Sequence, residues 1–284
     1  LQAECSKKFK ISPDETLQVA QDLYEKKLTT YPRTDARVLS SAVAKEIGKN
    51  ISRLKGFEST ADFVEHIMQK RLYANIVDTQ YTDDSKVTDH YAIIPTGQLT
   101  ELSGLTSLQR AVFELIVRRF LSIFYPPAEY ENVKLVVDVD KESFFASSKV
   151  LKSEGYLQVA NPPKKKSFEE SNARILGKNS ETADSTDENS TANGSNDEIV
   201  VNPKVMLELA DKLKSGDEIA CQGYNIKFGK TSPPKRYTSG SMVLAMENAG
   251  QLIEDEELRE QIKGSGIGTS ATRAEIIQKL VRIG

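Results

Sequence analysis

The chain has 284 residues, more than one small domain requires, so two or three domains are expected. Its 38 basic and 41 acidic residues leave a net charge of −3, which excludes a nucleic-acid binder that works by bulk cationic charge. No apolar run approaches the roughly 20 residues that cross a bilayer, no basic-then-apolar leader supports secretion, and Cys5, Cys221, His66 and His90 lack the paired spacing of a structural zinc site.

Ser12-Pro13-Asp14-Glu15 predicts a helix start, with Ser12 as cap, Pro13 in the first turn and Glu15 completing a capping box. Leu17, Ala20, Leu23 and Tyr24 follow at helical spacing, and Thr29-Thr30-Tyr31-Pro32 ends the pattern because the residue before a proline avoids the α conformation. A second helix is expected over 36–47, capped by Asp35, with Val38, Leu39, Ala42, Val43 and Ile47 on one face. Phe63, Ile67 and Met68 mark a third. The longest runs over 106–124, with Leu108, Val112, Leu115, Ile116, Phe120 and Ile123 facing inward, and stops at Pro126-Pro127.

From Tyr130 the pattern changes. Val133 to Val139 is a β-branched strand, and 144–146, 156–159 and 218–221 are read as others. The stretch 164–200 is polar, and from Lys178 to Glu198 it has no large apolar residue, so it cannot bury enough surface to order itself and is expected to be a flexible insertion. Helical patterns return over 241–249, 254–262 and 270–283. The expected organisation is therefore multidomain α+β, with a helical domain over 1–127, a β-rich domain over 128–225 and a helical segment over 226–284. Segment 1–128 holds 17 basic and 16 acidic residues and segment 226–284 holds 9 and 7, so a nucleic-acid groove must come from local clustering. The opening Leu1 and the stop just after a helical pattern are read as marks of a piece of a longer protein.

Three stretches can carry chemistry. In Tyr31-Pro32-Arg33-Thr34-Asp35 a phenol sits on a turn between helices with an arginine two residues on. A Tyr-Pro turn is often only a turn. The same pair also suits attack on a phosphodiester, because a phenol is a weak nucleophile at neutral pH and needs a cation beside the phosphorus, which a guanidinium fork supplies. In Asp89-His90-Tyr91-Ala92-Ile93-Ile94-Pro95-Thr96, His90 precedes an apolar strand-like run and is either a half-buried packing residue or a phosphate-contacting or proton-transferring imidazole. In Gly264-Ser265-Gly266-Ile267-Gly268-Thr269-Ser270-Ala271-Thr272-Arg273, glycines lead into a helix start, an anion-binding arrangement. No Gly-Lys-Ser/Thr follows, so it is not a nucleotide P-loop, and no strand precedes it as a dinucleotide fingerprint requires.

Together, and in this order, the three stretches resemble the type IA DNA topoisomerases, and Pro32 and the Thr272-Arg273 pair look most like the bacterial topoisomerase III branch. The resemblance covers most of the chain outside the polar insertion. It implies that Tyr31 forms a 5′-phosphotyrosyl bond with one DNA strand, that Arg33 holds the scissile phosphate, and that His90 contacts DNA or assists cleavage. It places Gly266, Gly268, Thr269, Thr272 and Arg273 in a single-strand-binding groove. It implies a toroid in which 1–127 is the tyrosine-bearing gate, 128–225 a partial β-rich arch and hinge, and 226–284 part of the base. Resealing then needs no ATP, and the partner is single-stranded DNA, with no nucleotide and no membrane, in the cytoplasm.

The same resemblance implies Mg²⁺ in the full-length enzyme, held by an acidic N-terminal domain that lies before this chain. None is expected in the fragment, which should not relax DNA alone. Asp138-Val139-Asp140 imitates an acidic cluster but is read as a turn after an antiparallel strand, and Asp83-Asp84 as a solvated loop. Ala36 stands where the family usually has Ser, at a position expected to begin the following helix. The alternative is a non-enzymatic helix-turn-helix DNA-binding module built on 12–47. A tyrosine recombinase is set aside because Tyr31 falls too early in the chain.

Overall fold

The computed structural model describes residues 1–161, 203–221, 223–226, 228–253, 255–262 and 266–283. They form two compact units, Leu1–Pro126 with Lys235–Gly284, and Pro127–Pro234. The insertion expected to be flexible, 164–200, lies outside the described residues.

The first unit is helical. Helix α1 (Gln2–Phe9) precedes the first helix expected from the pattern and buries Cys5, whose thiol is pushed up to about 11 by that burial. Helix α2 (Pro13–Glu25) has the expected start: Ser12 Oγ accepts from the Glu15 N–H at 3.1 Å and Glu15 accepts from the Ser12 N–H at 2.7 Å. Its inward face is Thr16, Val19, Ala20 and Leu23, while Tyr24 is 40% exposed.

Helix α3 (Ser41–Arg53) starts later than expected, and its cap is Ser40 rather than Asp35. Residues Arg37 to Leu39 are drawn into tertiary pairing instead. The Leu39 N–H donates to Tyr81 O, the Asp83 N–H donates to Leu39 O, and the Ala92 N–H donates to Val38 O. These bonds outweigh local helical propensity there. The buried face is accordingly Ala44, Ile47 and Ile51, with Ala42 exposed. Helix α4 is Ala61–Lys70 and α5 is Ser107–Ser122, capped by Thr106 in a box with Gln109. Of the expected inward set on α5, Val112, Ile116 and Phe120 are buried and Leu108, Leu115 and Ile123 half-buried, while Phe113, Val117 and Leu121 are buried as well. With Leu23, Ile47, Ile51, Leu54, Phe57, Val64 and Ile67 they make a core in which each fully buried aliphatic side chain contributes roughly 1.5–3 kcal/mol.

The chain returns to this unit through α8 (Ser239–Glu247), α9 (Glu256–Ile262) and α10 (Ser270–Ile283). Helix α8 packs on α1, and α10 packs on both α2 and α8, with Val243, Met246 and Ile277 at the centre.

In the second unit β1 (Glu129–Val139) and β2 (Glu142–Ser153) form an antiparallel hairpin in register from Val139↔Glu142 to Tyr130↔Leu151, with a register shift before Glu129↔Ser153 and Asp140-Lys141 as its tip. Asp140 takes a φ of 57°, which suits a two-residue hairpin loop. Two further expected strands are not strands. Residues 156–159 fall largely within the short helix α6 (Leu157–Ala160), which buries Val159, and 218–221 has no regular structure. Both sequences are apolar but too short for periodicity to separate strand from helix or coil. Helix α7 (Pro203–Lys212) packs against both hairpin strands.

Candidate active site

Tyr31 belongs to a segment held by its neighbours in sequence rather than by a helix. Thr30 and Thr34 flank it, and both reach across to the His90 stretch. The Thr30 N–H donates to Ile94 O at 2.9 Å, its hydroxyl donates to Ala92 O at 3.1 Å, and the same hydroxyl accepts from the Ile94 N–H at 2.9 Å. The Thr34 hydroxyl donates to His90 O at 3.2 Å and accepts from the Ala36 N–H at 3.1 Å. A bridge between Thr29 and Pro95 completes the pairing, and Pro32 is buried beneath it. The apolar run after His90 is therefore no regular strand. It is extended chain whose polar backbone groups are taken up by threonines.

This pairing brings Tyr31 and His90 together. Their ring centroids lie 4.3 Å apart with a 36° tilt. Tyr24, the next-to-last residue of α2, meets Tyr31 edge-on at 5.4 Å and 82°. Edge-to-face and offset contacts of this kind suit the ring quadrupoles. Tyr31 is half-buried, and His90 is exposed. Arg33 is exposed and forms no hydrogen bond or ion pair with any described residue. A cleft of about 510 Å³ opens beside the tyrosine, with Tyr24, Tyr31, His90 and Lys27 among its lining.

The glycine-rich turn lies in the same unit. Gly264 and Ser265 fall outside the described residues. Gly268 has φ 67°, and a Cβ there would stand 2.7 Å from the Thr272 hydroxyl. A Cβ on Gly266 would stand 2.7 Å from Glu247 O at the end of α8. Thr269 and Thr272 cap α10 reciprocally: the Thr269 N–H donates to Thr272 Oγ1 at 2.7 Å, and the Thr272 N–H donates to Thr269 Oγ1 at 3.3 Å. Arg273 is 7% exposed and spends its guanidinium on the turn, with Nε donating to Ile267 O and a terminal nitrogen to Gly268 O, both at 2.8 Å.

Asp35 joins the two motifs. Its carboxylate accepts from the Ser270 N–H at 3.1 Å, the position an anion takes at the start of a helix. Arg37 pairs with Glu247 close by. The first contact ties the tyrosine motif to the start of α10 and the second ties the segment after it to the end of α8, links that lie beyond sequence spacing because 235 residues separate Asp35 from Ser270. Tyr24 and Lys27 were also missed as site residues. Their signal was a tyrosine expected on the buried face of α2 and a lysine directly before the motif.

Among the described residues no group of three or more His, Cys, Asp or Glu is placed to hold a metal ion. The acidic pairs are engaged elsewhere: Asp138 accepts from the Ser143 hydroxyl at 2.6 Å, Asp83 pairs with Lys86 at 2.7 Å, and Asp84 accepts from the Ser41 hydroxyl at 2.6 Å. These residues do not fit a Mg²⁺ site.

A family model described as DNA topoisomerase matches residues 1–284. DNA topoisomerase 3 of Bacillus subtilis is 33% identical over 286 residues, covering 99% of this chain and 34% of that protein. DNA topoisomerase 3 of Bacillus licheniformis is 32% identical over the same coverage, and that of Bacillus cereus 33%. The chain spans about a third of the length of these relatives.

Proposed function

This chain belongs to the type IA DNA topoisomerase family, and on that premise we propose that it carries the strand-cleaving tyrosine of a larger, ATP-independent enzyme. Tyr31 Oη attacks a backbone phosphorus of single-stranded DNA. A 5′-phosphotyrosyl bond forms, the P–O3′ bond breaks, and the 3′-oxygen leaves to be resealed by the reverse step. The observation that carries this reading is the placement of Tyr31: a phenol in contact with the rings of Tyr24 and His90, on a turn fixed by two threonines, with an arginine two residues away that has no partner among the described residues. Fixed geometry reduces the entropic cost of attack, and an unspent guanidinium is available to the charge that develops on phosphorus.

His90 meets Tyr31 ring to ring, so we assign it first the orientation of the phenol and second a contact to the DNA. Gly266, Gly268, Thr269 and Thr272 shape the nearby turn against which a single strand is laid, and Arg273 holds that turn from within. Mg²⁺ would have to be held by parts of the whole protein outside this chain, and no step here is routed through it. Residues 1–127 then act as a gate, 128–225 as the hinge side of an arch, and 226–284 as part of the base. Opening the gate would break the Asp35–Ser270 and Arg37–Glu247 contacts. None of the described helices is long and apolar enough to cross a membrane, which accords with a cytoplasmic enzyme. Nothing in the comparisons favours the helix-turn-helix alternative.

Incubation of the full-length enzyme with a single-stranded oligonucleotide, followed by denaturation, digestion and sequencing of the DNA-linked peptide, should identify Tyr31, and Tyr31→Phe should form no adduct. An adduct on another residue refutes the assignment.

A further inference from the structure

The cleft beside Tyr31 has features that the cleavage step does not use. It measures about 510 Å³, within the range of roughly 300–1,000 Å³ that holds small organic ligands. One wall is the Tyr24 ring, 40% exposed although it lies on the helix that packs into the core. Tyr24 and His90 both meet the Tyr31 ring, and all three aromatic side chains line the cleft.

Lys27 supplies charge. Its φ of 60° is a conformation that residues with side chains seldom adopt. The backbone holds it there: its N–H donates to Tyr24 O at 2.8 Å, and its carbonyl accepts from the Thr96 hydroxyl at 2.5 Å. Lys27 lines the cleft and forms no ion pair with any described residue. Glu25, a carboxylate on the same wall, is engaged by Gln21 at 3.1 Å. Thr29 also lines it, with a buried hydroxyl that has no partner among the described residues.

An exposed aromatic face, an unpaired cation and a spare hydroxyl around one cleft are the chemistry that recognises a nucleotide: a π surface to stack on and an anion to neutralise. We propose that this cleft is a nucleotide subsite, in which the base next to the scissile phosphate stacks on Tyr24 and the phosphate beyond it meets Lys27. The subsite fixes where along the strand the attack falls. This inference rests on Tyr31 being the attacking group.

The test uses the full-length enzyme and single-stranded oligonucleotides carrying one abasic residue, moved position by position across the cleavage site. The readout is the amount of Tyr31-linked adduct. One position immediately flanking the cleaved bond should lose about tenfold when abasic. Tyr24→Ala should lose about the same on the intact strand and nothing further on that abasic strand, while Tyr24→Phe stays near wild type. Lys27→Gln should lower the slope of log affinity against log salt by about 0.7, the share of one phosphate contact on a single strand.

Indifference of the wild-type enzyme to every flanking abasic position overturns the subsite, whether or not Tyr24→Ala folds. So do losses from Tyr24→Ala and the abasic residue that multiply. An adduct that forms at a residue other than Tyr31, or no adduct at all, overturns the attacking role of Tyr31 and with it this inference, and is a separate result.

Discussion

The tyrosine turn and the glycine turn have the same ingredients, a tight turn with threonines and an arginine, and use them in opposite ways. Around Tyr31 the Thr30 and Thr34 hydroxyls are satisfied across to the His90 stretch, while Arg33 stays exposed with no partner among the described residues. In the glycine turn Arg273 is 7% exposed and bonded to two carbonyls. An arginine already committed to carbonyls holds its own loop. One without partners can meet a phosphate. Under the proposed function, this contrast assigns Arg33 to the phosphate and Arg273 to the turn on which the strand lies.

The sharpest way to break this contrast is to remove each cation in turn. In the full-length enzyme Arg33→Ala should lower adduct formation by about 10²–10³, the effect of losing one preorganised donor to a developing anion, with the thermal midpoint unchanged. Arg273→Ala should do the reverse. Losing charge-assisted bonds to two carbonyls of the turn costs about 2 kcal/mol locally. Exchange of the Ile267 amide, which donates to Met246 O, should accelerate more than tenfold. Equal effects of the two variants on cleavage would erase the distinction.

Much of the first unit was legible in the chain. The Ser12–Glu15 box marked the start of α2, because its partners lie within four residues, and the apolar pattern over 106–124 placed the start of α5 to within one residue. The start of α10 at Ser270 followed from the glycines before it. Asp35 shows where such reading ends. It has every local mark of a cap for the next helix, yet it caps α10, because Val38 and Leu39 are claimed by pairing with the 81–92 region. Local capping is a property of neighbours in sequence, and the competing bonds came from more than 40 residues away. The site was legible at Tyr31, Arg33 and His90 as residue types. That Tyr24 belongs with them was hidden, because a tyrosine on an apolar stripe looks like core until its exposure is known.

The smallest effect concerns the loop that keeps the segment after the tyrosine turn in place. Leu39 pairs with Thr82, and Asp83 and Asp84 follow directly. Asp84 accepts from both the N–H and the hydroxyl of Ser41, at 2.8 and 2.6 Å, tying the loop to the start of α3. Hydrogen bonding from Lys86, then from Ser85, holds the Asp83 carboxyl down to about 2, against an ordinary value of 3.8. A carboxyl lowered on folding stabilises the folded state above its unfolded value, and that contribution fades as pH falls from about 4 through 2. The Asp83 side chain is only half-buried, so solvent and salt screen the effect and it should be small. Carbon-13 titration of the carboxyl should show a midpoint near 2 that moves back toward 4 in Lys86→Met. If the midpoint already lies near 4 in the unaltered protein, the loop is not held by this pair, and the bonds of Leu39 and Asp84 alone keep the segment after the tyrosine in register.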